Sequence, residues 1–189
     1  MTLEEEIKYS VDLLKKGKII LYPTDTIWGI GCDATNQKAV QRVFNIKGRE
    51  QTKSMIILLD EVEKLERYIK KVPPIAYDLI ANSVSPLTIV YPGAKNIAKK
   101  LIASDGTIAI RIVKGRYSAA VINQLDKPLV STSANMSGQP SPGIFSQIGS
   151  NIIKSVDYVV EHFRDQTKTL KPSTIIKIEN SGRFVVLRT

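Results

Sequence analysis

The sequence predicts a mixed α/β fold, and three observations carry that prediction. Segments with apolar residues at helical spacing alternate with short apolar runs of strand length. One run, Met55-Ile56-Ile57-Leu58-Leu59, is apolar throughout, as expected of a strand covered on both faces. The last two strand-like runs flank Asn180-Ser181-Gly182, a hairpin turn signal, so some neighbouring strands pair antiparallel.

Each element has its own local reason. Thr2-Leu3-Glu4-Glu5 fits a capping box, Leu3, Ile7, Val11 and Leu14 then repeat at helical spacing, and Gly17 ends the helix. Residues 19–22 form the first strand. Asn36 caps a second helix carrying Ala39, Val40, Val43 and Phe44 on one face. Residues 55–59 are a strand and 62–69 read as helical. Pro73-Pro74 opens a helix through about Ala81, since proline is tolerated in a first turn. Strands follow at 87–91 and 107–112, a helix at 118–125, a strand at 129–132 and a short helix at 150–156. Runs at 158–160, 174–178 and 184–187 close the sheet. The polar stretch 161–171 reads as a loop able to cover a cleft.

Bulk properties narrow the function. A chain of 189 residues that is 43% hydrophobic supports one sizeable core, so 1–189 is read as a single domain. No apolar run is long enough to span a bilayer, and the acidic start Met1-Thr2-Leu3-Glu4-Glu5-Glu6 lacks a signal-peptide core, which places the protein in the cytoplasm without a membrane. Cys32 and His162 are the sole cysteine and histidine. An intramolecular disulfide, a thiolate metal cage and a histidine-rich zinc site are therefore excluded, and a Ser–His–Asp triad is open only through His162. Cys32 reads as a packed small side chain and His162 as an exposed loop residue. The net charge of +9 favours nucleic acid, nucleotides or acidic surfaces as partners. Aromatic residues make up only 6%, which argues against a dedicated RNA-stacking surface.

Three polar clusters beside strand-like runs point to one cleft built from separate loops. The first is Tyr22-Pro23-Thr24-Asp25-Thr26-Ile27-Trp28-Gly29. The second is Lys47-Gly48-Arg49 with Lys53-Ser54, which reads either as cations at a helix C-terminus or as donors to a triphosphate. The third is Ser131-Thr132-Ser133-Ala134-Asn135 with Ser137-Gly138; such small residues build a close wall of donors and acceptors rather than a core. Arg111 interrupts an apolar strand, which reads either as a side chain facing a cleft or a carboxylate or as an exposed strand face or structural ion pair. Trp28 is either a core aromatic or a pocket wall. Gly29-Ile30-Gly31-Cys32-Asp33-Ala34, with Glu50 downstream, matches a dinucleotide fingerprint, but Pro23 and two threonines separate it from the first strand, so it reads as glycines allowing close packing or positive φ. No phosphate-binding P-loop sequence occurs.

Taken together and in order, these segments resemble the YrdC/TsaC family of threonylcarbamoyl-AMP synthases. The resemblance rests on 22–29, Lys47-Gly48-Arg49, Pro86-Leu87-Thr88, Tyr91-Pro92-Gly93, Ile108-Ala109-Ile110-Arg111, Ser131–Asn135, 137–142 and Ser173-Thr174-Ile175-Ile176. It implies a YrdC-like twisted mixed sheet flanked by helices around a large basic cleft. It also implies that L-threonine, bicarbonate and ATP give threonylcarbamoyl-AMP and pyrophosphate for t6A modification of tRNA, in the short form of the family, with TsaD-type transferase machinery as partner. The carried-over positions are Thr24, Arg111, Ser133 and Ser173 for threonine. For ATP they are Lys47, Arg49, Lys53, Thr107, Ser131, Ser133, Asn135 and Arg188, with Lys47, Arg49 and Arg111 stabilising charge in catalysis. Mg²⁺ is expected to arrive with ATP, and no dedicated metal ligand is assigned. Trp28 stands where the family more often has tyrosine, and Leu58 where some long members carry histidine. The alternative reading is a nonenzymatic RNA-binding or ribosome-maturation factor that holds RNA or tRNA in the same cleft.

Overall fold

The computed structural model describes residues 1–48, 55–166, 171–179 and 181–189. In the first helix, α1 (Leu3–Lys15), the Thr2 hydroxyl accepts from the Glu5 amide and the Glu5 carboxylate accepts from the Thr2 amide. Ile7, Val11 and Leu14 form its buried stripe. Asn36 Oδ1 accepts from the Ala39 amide to start α2 (Gln37–Lys47). The remaining helices are α3 (Leu65–Tyr68), α4 (Pro74–Asn82), α5 (Arg116–Leu125) and α6 (Ser150–Ser155). The strands are β1 (Ile20–Tyr22), β2 (Gly29–Gly31), β3 (Ile56–Leu59), β4 (Leu87–Tyr91), β5 (Ile108–Ile112), β6 (Leu129–Ser133), β7 (Tyr158–Val159), β8 (Thr174–Ile178) and β9 (Phe184–Arg188).

Among the described residues these strands form one mixed sheet in the order β7-β1-β2-β6-β3-β5-β4-β8-β9. The pairs β1–β7, β3–β5 and β4–β8 are parallel, and the others are antiparallel. Side chains alternate across a strand, so the register sorts them into two faces. One face carries the row Val130, Ile57, Ile110, Ile89 and Ile176, each at most 3% exposed. Helices α1 and α5 pack on each other, α1 on β1 and α5 on β3. The other face is small and polar at its centre. One of its rows runs Ser131, Ile56, Ala109, Val90, and the next runs Leu58, Arg111, Thr88, Ile175, Arg188.

The mixed α/β expectation is met, with three differences. Residues 29–31 were expected in a loop and form an inner strand. Glycine is a poor strand former, so composition hides β2, but its backbone lies between β1 and β6. A Cβ on Gly31 would stand 2.3 Å from the Val130 carbonyl oxygen and 2.6 Å from the Tyr22 ring, so close packing is what this glycine provides. Residues 62–69 are a 3₁₀ turn, Val62–Lys64, before the short α3 rather than one helix. His162 is not a free loop residue, because its Nδ1 lies 2.5 Å from Glu6 Oε2. In the last hairpin the Glu179 amide donates to the Arg183 carbonyl and Gly182 takes φ 82°, while Asn180 lies outside the described residues.

Glu6 ties α1 to the chain after β7. Its fully buried carboxylate accepts from the Tyr158 hydroxyl (2.6 Å), the Glu161 amide (2.5 Å) and the His162 amide (3.2 Å). Burial works to raise its pKa, but these bonds and the His162 ring outweigh it and leave the value below 4.5. The unfolded chain therefore binds a proton more readily than the folded one. The resulting stability is present above pH 4.5 and is lost as pH falls through the depressed folded value. Glu6→Ala should cost about 3 kcal/mol at neutral pH and flatten the acid limb of the stability profile, read from urea melts at several pH values. Gly31→Ala should cost about 2 kcal/mol, and an unchanged melting temperature would remove the close-packing role of this glycine.

Candidate functional site

The polar face of the sheet is the floor of a cavity of about 430 Å³, within the size range of small-molecule sites. Arg111, Ser131 and Ser133 line it from the sheet, and Thr26, Trp28 and Ser141 from the loops. Ser173, Leu187 and Arg188 line it from the β8–β9 side. The location follows from the alternation: one face of β3 to β6 is continuous aliphatic core, and the opposite face offers alanine, serine and arginine.

Arg111 is the electrostatic centre. It is only 3% exposed, and its Nη2 lies 3.1 Å from Asp25 Oδ1. That ion pair lacks the alignment of a hydrogen bond, and Arg111 Nε and Nη2 find no hydrogen-bond acceptor among the described residues. Arg111 lines the cavity wall while its Nε and Nη2 are buried beside Asp25, and a guanidinium on such a wall is the side chain suited to an oxyanion. Arg188 lies on the same row of the floor, its Nε and Nη2 donating to the Ser173 carbonyl at 3.1 and 2.8 Å. Burial and the neighbouring Arg111 charge both hold the Arg188 pKa below its ordinary value. The Ser173 hydroxyl shares a 2.7 Å hydrogen bond with the buried Thr88 hydroxyl. Two cations and a row of hydroxyls thus share one cleft, with the Asp25 carboxylate paired to one of the cations beside it. A second open hollow of about 570 Å³ adjoins Asp25 and Arg188, with Ser85 and Thr174 also on its wall.

Of the residues singled out in the sequence, the structure brings Arg111, Ser131, Ser133, Ser173 and Arg188 together on this lining. The other anticipated residues stand around it. The Lys47 ammonium is buried behind the third polar cluster, donating to the Ser133 carbonyl at 2.5 Å, to the Asn135 carbonyl and to Asn135 Oδ1 at 3.2 Å. Asn135 Nδ2 donates to the Met136 and Gln139 carbonyls, so Asn135 pins its own loop. The Thr24 hydroxyl donates to the Ile27 carbonyl at 2.8 Å and accepts from the Thr26 amide at 3.0 Å, which makes it a staple of the 23–28 loop. Thr107 donates from its amide and hydroxyl to Asp105, and the Lys177 ammonium and the Thr107 hydroxyl hold that carboxyl at about 2. Arg49, Glu50, Lys53 and Ser54 lie outside the described residues, as do 167–170 of the expected covering loop.

Thr26, Ser141 and Leu187 line the cavity without having been anticipated. Thr26 and Ser141 belong to segments already marked as polar. Leu187 had no signal, because a β-bulge near Ile175 decides which of its neighbours turn inward. Leu58 is fully buried on the floor row beside Arg111. Cys32 is fully buried and burial pushes its thiol pKa up, as befits a packing residue. No group of three or more His, Cys, Asp or Glu side chains placed to hold a metal ion occurs among the described residues, and none of their helices is long and apolar enough to cross a membrane.

Comparison with known proteins agrees with this geometry. Residues 12–189 match the family model Sua5/YciO/YrdC, described as "Telomere recombination". A threonylcarbamoyl-AMP synthase of Pseudoalteromonas translucida is 34% identical over 187 residues, covering 97% of this chain and 99% of the relative. A putative threonylcarbamoyl-AMP synthase of Methanocaldococcus jannaschii is 40% identical, covering 94% of this chain and 84% of the relative. The crystal structure of P. abyssi Sua5 complexed with L-threonine superposes with a TM-score of 0.85 at 26% identity. That match takes in 96% of this chain and 53% of the longer one, so this chain spans about half of that protein. The chain therefore belongs to the Sua5/YciO/YrdC family.

Proposed function

We propose that the chain is a threonylcarbamoyl-AMP synthase, joining L-threonine, bicarbonate and ATP to give threonylcarbamoyl-AMP and pyrophosphate. The observation that carries the reading is the Arg111 guanidinium on the cavity floor, ion-paired to Asp25 and with its Nε and Nη2 making no hydrogen bond among the described residues. The relatives named threonylcarbamoyl-AMP synthase support it.

The chemistry needs no strong nucleophile from the protein. The neutral threonine amine adds to the carbon of bicarbonate, water leaves, and a carbamate forms. A carbamate oxygen then attacks the α-phosphorus of ATP, and the bond to pyrophosphate breaks. Both steps gain from holding reactants together and neutralising oxyanions. Arg111 is assigned to a substrate carboxylate or phosphate, with Asp25 keeping the guanidinium in place. Ser173 and Ser133 are assigned to the threonine side, and Ser131, Ser133 and Arg188 to the nucleotide side, while Thr24 and Thr107, whose hydroxyls bond within their own loops, are assigned to holding those loops in place. Lys47 and Asn135 hold the 133–135 segment and set positive charge directly behind it, while Arg49 and Lys53 are assigned to the phosphates. Asp25 is ion-paired to Arg111, and no metal ligand is assigned. Mg²⁺ is therefore expected on ATP itself, held by phosphates and water. The cytoplasm, a TsaD-type acceptor of the adenylate and eventual tRNA modification follow from the same reading.

Pyrophosphate release from ATP should require both threonine and bicarbonate when each is omitted in turn. Failure of ATP-binding protein to release pyrophosphate, together with salt-sensitive tRNA binding, would favour the RNA-binding alternative. Arg111→Lys should lower kcat/KM by about 100-fold while the protein stays folded, because a lysine lacks the planar fork. Lys47→Ala should reduce ATP use and also lower stability by about 2 kcal/mol, because buried carbonyls lose their donor. A stable Lys47→Ala protein with ordinary kinetics would remove both roles.

A further inference from the structure

Trp28 is the single tryptophan of the chain and a wall of the cleft. Its indole is only 5% exposed, and it is backed by two more layers. The Phe145 ring packs on it with centroids 4.8 Å apart and planes tilted by 53°. The Arg164 guanidinium carbon lies 5.0 Å from the Phe145 centroid. That guanidinium is itself fixed, with Nε donating to the Val160 carbonyl at 2.7 Å and Nη2 to the Val159 carbonyl at 2.6 Å. The segment that carries it hangs from Glu6 through the Glu161 and His162 amides, and Phe163 within it takes a left-handed φ of 70°. A bulky residue holds such a conformation only when its surroundings impose it. A small hollow of about 10 Å³ lies beside Trp28, with Gly143, Ile144 and Gln166 on its wall.

We propose that Phe145 and Arg164 are positioning residues that hold the Trp28 indole as a fixed wall of the cleft. Substrate binding then depends on two side chains that are absent from the cavity lining. The inference rests on the reading that this cleft takes ATP and threonine. The Thr24 staple and the Asp25–Arg111 pair fix the course of the 23–28 loop, but among the described residues no hydrogen bond is made by the indole itself. Removing the backing layers lets the ring turn toward the cavity. Trp28 contributes shape and no charge, so the loss falls on substrate affinity rather than on the chemical step.

The test uses Arg164→Met, Phe145→Leu and the conservative Phe145→Tyr, each checked for a folded melting transition. Arg164→Met and Phe145→Leu should raise KM for ATP or threonine about tenfold with kcat within about twofold, and Phe145→Tyr should restore KM. Trp28 emission should shift to the red and become more open to acrylamide quenching in the first two variants and not in the third. Unchanged KM values in folded variants, or a fall in kcat alone, would overturn the proposal. If the wild-type protein releases no pyrophosphate with ATP, threonine and bicarbonate, the functional reading fails, and unchanged quenching in Arg164→Met would separately overturn the positioning role.

Discussion

The cleft is organised around one buried charge. A guanidinium at the centre of a sheet is costly unless a counter-charge stands beside it, and here Asp25 supplies that charge from the 23–28 loop. The pair does two things at once. It draws the loop down over the sheet, so that Thr26 and Trp28 become walls of the cavity. Arg111 also lines the cavity, so the same residue anchors the loop and faces the cleft. A neutral side chain in place of Asp25 would leave the guanidinium without its ion pair.

Cavity and core are opposite faces of the same strands. The row from Val130 to Ile176 is aliphatic and buried, and the adjacent residues of those strands supply Ser131, Ala109, Arg111 and Ile175 to the cleft. Period-two alternation thus makes core and site at once, and a slip of one residue in register would exchange them. Gly31 extends the same logic. Its missing side chain admits the Tyr22 ring, whose hydroxyl donates to the Val130 carbonyl and joins β1 to β6 across β2.

Hydroxyl and amide side chains around the cleft divide into two kinds of work. Thr24, Thr107 and Asn135 spend their hydrogen bonds on their own loops, and Lys47 spends its donors on the carbonyls of 133 and 135. Ser131, Ser133 and Arg111 face the cavity itself. The first group fixes the backbone so that the second is held ready before a ligand arrives, which is the economical arrangement for a reaction that depends on placement.

The sequence by itself determined the elements whose causes are local. The Thr2–Glu5 capping box, the Asn36 cap and the helical stripes of α1 and α2 are written in neighbouring residues, and so are the apolar strands β3 to β5. It also marked Arg111, Ser131 and Ser133, because polar residues in or beside apolar strands must find a cleft, and it marked Ser173 and Arg188 through the resemblance to the family. It left β2 hidden, because glycine carries no strand signal and only pairing with β1 and β6 makes that segment a strand. Tertiary structure alone decided that Lys47 turns to the 133–135 carbonyls and that His162 meets Glu6 across 156 positions of chain. It alone set Arg164 behind Phe145 and Trp28. Local periodicity reports which way a side chain points, but the partner it meets depends on which distant strand folds alongside it.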